Sequence, residues 1–282
     1  MNSGPSRDVA LVARALGVTP EFPPVRRGQP KVAITGHAIV YLAGDDSARR
    51  RIHREGARLL WAARNGIPVP EVLDQAPNWL VTRRVPDDPK PDGPALARAA
   101  AAITAAIANA TEPPPGPLVA VPSPFRGTAR AAARLARWES TALAEEFLRL
   151  HRVVTRLPRT QLAHGDFHLK NLLYDAKERV LRVIDWEFVT YAPTGLDVLM
   201  LWARLGDPKG RAELIRKANN GAVTATTALW AAERYLADLN AGRDRRVRRA
   251  GAAACVRELI GDLHRAQSIR ELQQAQRPLN ER

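Results

Sequence analysis

Cysteine, methionine and aromatic residues are all scarce in this chain of 282 residues, which carries one Cys, two Met and 5% Phe, Trp and Tyr. A single thiol, Cys255, closes no intramolecular disulfide, so a staple-held secreted scaffold is excluded and a reducing cytoplasm is the expected compartment. Its setting, AGAAACVRELI, suits a small buried thiol. Long hydrophobic runs are missing too: the most apolar stretch, residues 95–110, is mostly Ala and contains Arg98, which makes it a poor membrane span. The first residues, MNSGPSRDVALVARALG, break their apolar positions with Arg7, Asp8 and Arg14 and match no secretory leader. Neither HExxH zinc spacing nor a GxSxG nucleophile elbow occurs, which argues against a zinc hydrolase and a serine esterase. What remains is an ordinary globular composition, 45% hydrophobic and 26% charged, long enough for one large domain or two lobes.

Positive charge is in excess, with 43 Lys plus Arg against 29 Asp plus Glu, a net +14. Such a balance raises nucleic acid or an anionic surface as a partner, because cations gain by releasing counterions from phosphate. The densest cluster, RDRRVRR at 243–249, has no interleaved aromatics and no zinc-finger, RNP or zipper pattern around it. It reads as a solvated stretch leading into the last helix, so neither nucleic acid nor membrane is the expected partner. A polycationic substrate would need an acidic pocket that few spare acids supply.

Along the chain, residues 7–17 read as a short amphipathic helix ending at Gly17, followed by the Pro-rich turn TPEFPP. KVAIT and AIVYLA around Gly36-His37 form a hairpin pattern, and residues 47–64, with Ile52, Leu59, Leu60 and Trp61, suit a helix packed on it. IPVPEVLD is extended by its prolines and WLVTRRV reads as a strand. Pro- and Asp-rich punctuation at 86–94 and a second break at 113–125 enclose an Ala-rich helix, and residues 129–157 are helical by period. The expectation is an α+β chain of two lobes: residues 1–85, a small antiparallel β lobe with one helix, and residues 86–282, a larger helical lobe.

The second half has one clear β pattern, LAHGDFHLKNLLY, the turn DAKE, then RVLRVIDWEF. Within it His164, Asp166 and Asn171 spell HxDxxxxN, and Asp185 follows Asn171 by fourteen residues at the end of an apolar strand. Phosphoryl transfer needs a group to orient a hydroxyl and take its proton, and hard oxygen ligands for magnesium on the phosphates. A loop Asp serves the first need. An Asn five residues on, and an Asp returned beside it by the hairpin, serve the second.

At these residues the sequence resembles the aminoglycoside phosphotransferase and choline kinase-like family, which shares the bilobal protein-kinase architecture; the likeness runs from about Val25 to Ala203. It implies that Asp166 is the catalytic base, that Asn171 and Asp185 hold Mg2+, that His164 braces the loop, and that Asp197 supports it. It also makes Glu55 the helix carboxylate that pairs with a phosphate-binding lysine, and Arg83, Arg84 and Val85 the hinge whose backbone meets adenine. The implied cofactors are Mg2+ and ATP or GTP, and the implied partner is a hydroxyl-bearing small molecule, better neutral or anionic than an aminoglycoside given the charge balance.

One departure stands out. Where the family's third strand reads YLK, this chain has Tyr41-Leu42-Ala43, so the phosphate lysine is missing. Lys31, just past the GQP turn, is the replacement candidate, equally readable as a solvated strand-edge lysine, and Lys170, beside Asn171, is a second candidate that reads better as a solvated loop lysine. The phosphate loop is thin, with Gly28 its only glycine and Pro30 lacking a donor. Two other readings therefore stay open: a peptide Ser/Thr kinase of natural-product maturation, and a non-catalytic kinase-like binding protein.

Overall fold

The computed structural model describes residues 28–118, 159–202 and 205–218, together with individual positions between 12 and 23 and between 132 and 148. Most of the helix expected at 129–157, the basic cluster at 243–249 and Cys255 lie outside the described residues. Among the described residues no helix is long and apolar enough to cross a membrane. The chain forms two compact units. The first comprises residues 1–92, 105–119 and 169–189, and the second comprises 93–104, 120–168 and 190–282.

The first unit is built on a four-stranded antiparallel sheet in the order β1-β2-β4-β3. β1 (Lys31–Ile34) and β2 (Ala38–Leu42) form the expected hairpin, with Val32 opposite Tyr41. Thr35 closes the turn: its N–H and hydroxyl both donate to the Ala38 carbonyl, at 2.8 and 3.0 Å. β2 alternates, burying Ala38, Val40 and Leu42 while Ile39 and Tyr41 take the other face, as period-two geometry requires. β3 (Val72–Ala76) and β4 (Trp79–Arg83) complete the sheet, with an irregularity between Val72 and Asp74. Val12, Ala33, Ala38, Val40 and Val81 form one buried cluster, with Leu16, Phe22 and Trp79 against it.

Helix α1 (Asp46–Arg64) packs on this sheet through Ala48, Ile52, Gly56 and Leu59, which recur at helical spacing on one face. Gly56 permits the close approach, since a Cβ there would stand 2.6 Å from the Gln75 side chain of β3. Asp45 starts the helix. One carboxylate oxygen accepts from the Ala48 N–H at 2.9 Å and the other from the Gly28 N–H at 2.8 Å, so the same cap holds the turn ahead of β1, where Gly28 sits at φ +80°. The unit also contains the second hairpin, β6 (Leu172–Asp175) and β7 (Val180–Val183), reversed at the expected DAKE turn, where Asp175 accepts from the Glu178 N–H at 3.0 Å.

The second unit holds the two-stranded pair β5 (Gln161–Ala163) and β8 (Thr190–Ala192), helix α3 (Leu196–Trp202) and helix α4 (Pro208–Ala218). Ala163, Ala192, Leu196 and Met200 bury together, and Gln161 accepts from the Gly195 N–H at 2.8 Å at the mouth of α3. Helix α2 (Gly93–Ala108) is the expected Ala-rich helix, burying Leu96, Ala97, Ala100, Ile103 and Ile107.

Asp45 caps one helix and one turn with two oxygens, so Asp45→Ala should lower unfolding free energy by about 1–2 kcal/mol. Urea denaturation checks this, and a loss below a few tenths of a kcal/mol would show that the cap contributes nothing.

Candidate functional site

In the second unit, β5 runs directly into His164-Gly165-Asp166. His164 is fully buried, its ring edge-on to Phe167 at 6.1 Å, and its Nδ1 accepts the Asp166 N–H at 3.3 Å. Asp197, in the first turn of α3, accepts the His164 N–H at 2.6 Å and the Gly165 N–H at 3.0 Å. Those two bonds fix the loop where Gly165 adopts φ +83°. The Asp166 carboxylate is partly exposed, and its Oδ2 lies 3.3 Å from Nε2 of His168. His168, which sequence reasoning passed over, is thus a direct neighbour of the expected base.

In the first unit, the 3-10 turn Leu169–Asn171 leads into β6. The Asn171 carbonyl accepts the Ile184 N–H at 3.0 Å, one step beyond the Leu172–Val183 pair, so the hairpin returns Ile184 to the level of Asn171 and Asp185 follows as the next residue. Asp185 itself adopts φ 63°, ψ 62°, a left-handed conformation unusual for a residue with a side chain. Helix α1 holds the backbone just beyond it. Both Glu55 oxygens accept the Trp186 N–H, at 3.1 and 3.0 Å. One turn on, Arg58 is fully buried and donates to the carbonyls of Trp186 at 2.7 Å, Glu187 at 2.9 Å and Pro117 at 2.8 Å. One turn back, Arg51 pairs with the Glu187 carboxylate. The Trp186 ring, wholly buried, meets Trp61 edge-on at 5.9 Å and donates from Nε1 to the Val183 carbonyl at 3.2 Å.

A cavity of about 260 Å3 opens in this unit, lined by Gln29, Pro30, Tyr41, Arg51, Ile52, Glu55, Leu80, Ile184 and Asp185. Burial pushes the Glu55 carboxyl up to about 7; the Asp185 charge adds to this, while the Trp186 N–H and Arg58 oppose it. Tyr41 is pushed up to about 12 by burial and then by the charges of Glu55 and Asp185. From β2, therefore, a phenol faces the helix carboxylate. Ala43, where the lysine was expected, lies past the strand end with its N–H on the Asn78 carbonyl at 2.8 Å.

The remaining expected residues fall elsewhere. Lys31 is exposed at the start of β1 and Lys170 is exposed in its turn; neither lines the cavity. Arg83 donates its N–H to the Glu71 carbonyl and its Nε to the Glu71 carboxylate at 2.7 Å. Arg84 donates its N–H to the His37 carbonyl at 2.8 Å, and Val85 is buried. Sequence reasoning missed Arg51 and Arg58. Their signal was a spacing of four and three around Glu55, which puts all three on one helix face.

Among the described residues no three His, Cys, Asp or Glu side chains cluster as a metal cage. The donor set at the hairpin is one amide oxygen and one carboxylate, both hard oxygen donors. That chemistry fits magnesium, which is commonly held by one or two protein groups and completed by water and phosphate oxygens.

The fold gives the class first: the chain has an α+β protein-kinase-like fold. Residues 25–236 match the phosphotransferase enzyme family, and the chain belongs to it. No curated protein matches the chain by sequence. Among solved structures it is similar to a choline/ethanolamine kinase family protein from Mesorhizobium loti, at 18% identity and TM-score 0.59 over 92% of this chain and 98% of that one. The streptomycin–ATP ternary complex of APH(2")-IIa is similar at 12% identity and TM-score 0.58, over 92% and 97%. Choline kinase LicA from Streptococcus pneumoniae gives 13% and 0.51, over 91% and 100%. At such identities the likeness is one of fold.

Burial pushes the Asp197 carboxyl up to about 6 from 3.8, against the pull of its two N–H bonds and with the Asp166 charge adding. The folded chain therefore holds this proton more tightly than the unfolded chain between those values. The resulting stability is fully present below about pH 4 and lost as pH rises through 6, a fall on the order of 3 kcal/mol. Urea unfolding across this range should show that slope, and Asp197→Asn should flatten it; an unchanged slope in the variant would place its origin elsewhere.

Proposed function

We propose that the protein is a magnesium-dependent phosphotransferase that moves the γ-phosphoryl group of ATP or GTP to a hydroxyl of a small molecule. The observation that carries this reading is Asp185, set in a left-handed backbone conformation beside a cavity of about 260 Å3 and backed by α1 through Glu55, Arg58 and Trp186. A strained, firmly supported carboxylate beside a cavity is the kind of feature functional sites retain. Membership of the phosphotransferase enzyme family supports the same chemistry, as do solved relatives named as a choline kinase and as a complex with streptomycin and ATP.

In this reading Asn171 and Asp185 are the magnesium ligands. When bound, the ion offsets negative charge on the phosphoryl oxygens. Asp166 orients the acceptor hydroxyl and takes its proton as the new P–O bond forms. His168, 3.3 Å from the Asp166 carboxylate, steadies that carboxylate, while His164 and Asp197 hold its backbone. Adenine would read the backbone at Val85, because the amides of Arg83 and Arg84 are already bonded. The acceptor is a neutral or anionic alcohol of small size.

A second reading, a kinase-like binding protein without turnover, draws on Ala43 in place of the expected lysine and on the thin phosphate loop with Gly28 its only glycine.

ADP release should be followed with magnesium, ATP and a panel of alcohols. Asp166→Asn should lower kcat about 100- to 10,000-fold while ATP with magnesium still raises Tm. Asp185→Ala should remove both turnover and the magnesium-dependent part of the Tm rise. Intact turnover in Asp185→Ala would defeat the metal assignment, and saturable ATP binding with no turnover on any acceptor, peptides included, would favour the binding protein.

A further inference from the structure

The cavity beside Asp185 carries two carboxylates, Glu55 and Asp185, and polyphosphate entering it would meet their repulsion unless a cation stood there as well. The side chain reaching it from β2 is the Tyr41 phenol, which has no charge to offer, and Lys31 is exposed and does not line it. One basic side chain among the described lining residues remains, and it comes from the helix. Arg51 lies on α1 one turn ahead of Glu55. Its Nη1 donates to Gln29 Oε1 at 2.9 Å, and its Nη2 pairs with the Glu187 carboxylate. We infer that Arg51, delivered from helix α1, is the cation that grips the polyphosphate of the nucleotide in this cavity, in place of a lysine on the strand; the inference rests on the nucleotide reading given above.

The geometry gives the guanidinium the means. Its five N–H donors lie in one plane, and the two bonds to Gln29 and Glu187 leave others to take phosphate oxygens in the paired fashion that suits arginine. Glu187 does not line the cavity, and its carboxylate pairs with the guanidinium and limits the rotamer entropy lost on binding. Gln29 follows Gly28, whose N–H is fixed by Asp45, the cap of α1. The loop that would cover the phosphates and the cation that would grip them are therefore both fastened to one helix. Glu55 has no need of a lysine in this arrangement, because both its oxygens accept from the Trp186 N–H.

The test is calorimetric titration of the full chain with three probes, adenosine, ATP with magnesium, and inorganic tripolyphosphate, in the wild type and in Arg51→Met, Glu187→Gln and Lys31→Met. Arg51→Met should weaken ATP and tripolyphosphate about tenfold to a hundredfold and leave adenosine unchanged. Arg51→Lys, which keeps the charge but not the fork, should recover part of the loss. Lys31→Met should bind all three probes as the wild type does, and Glu187→Gln, which loosens the guanidinium, should weaken ATP and tripolyphosphate less than Arg51→Met does and leave adenosine unchanged. Equal weakening of adenosine and ATP by Arg51→Met and Glu187→Gln would mean that Arg51 only holds the fold, and unchanged polyphosphate binding in Arg51→Met would mean that the cation lies elsewhere; either overturns the inference. Tripolyphosphate binding that depends on Arg51, with no binding of ATP, would sink the nucleotide reading and leave the cation assignment standing. A wild type that binds neither overturns both.

Discussion

Arg58 is a fully buried cation whose guanidinium meets backbone carbonyls, and the arrangement around Asp185 depends on it. Burying such a charge is expensive unless its donors are all used, and here they reach Trp186, Glu187, Pro115 and Pro117. Burial lowers its pKa from the usual arginine value, and the charges of Glu55 and Glu187 pull the other way. The same helix face presents Glu55 to the Trp186 N–H and Arg51 to the Glu187 carboxylate. Acceptors and donors of three consecutive helical turns thus grip two consecutive residues. The left-handed turn at Asp185, unfavourable in isolation, persists because its neighbours are over-determined.

A second set of constraints acts in the other unit, where Asp197 gives one oxygen to each of two successive N–H groups ahead of Asp166. Both devices use a carboxylate in the same way: raised in pKa, and spent on backbone rather than on a cation. Each places a loop by its amides, next to a chemistry-bearing side chain. His168 touches the Asp166 side chain itself.

Local pattern carried much of this. The β1–β2 hairpin, α1, β4 and the β6–β7 hairpin follow from alternation, helical period and turn residues, and they appear within a few residues of their expected bounds. The return of the second strand beside Asn171 followed from counting along that hairpin. What stayed hidden depends on partners far off in the chain. Nothing near Arg58 announces that it will meet Trp186, 128 positions away, and a charged residue on a helix ordinarily reads as solvated. Tyr41 was legible only as half of a lost lysine motif, because which side chain fills a cavity depends on how helix and sheet pack. The strand β3 was read merely as extended, since Pro68 and Pro70 blur the alternation just ahead of it.

The proline-rich stretch after α2 was read from composition as a break, yet the carbonyls of Pro115 and Pro117 close two donors of Arg58, and that of Glu112 takes the indole N–H of Trp61. A connector of this kind behaves as a keystone rather than a tether. Lengthening or shortening it would strand a buried guanidinium, so its length is set by the donors it must meet.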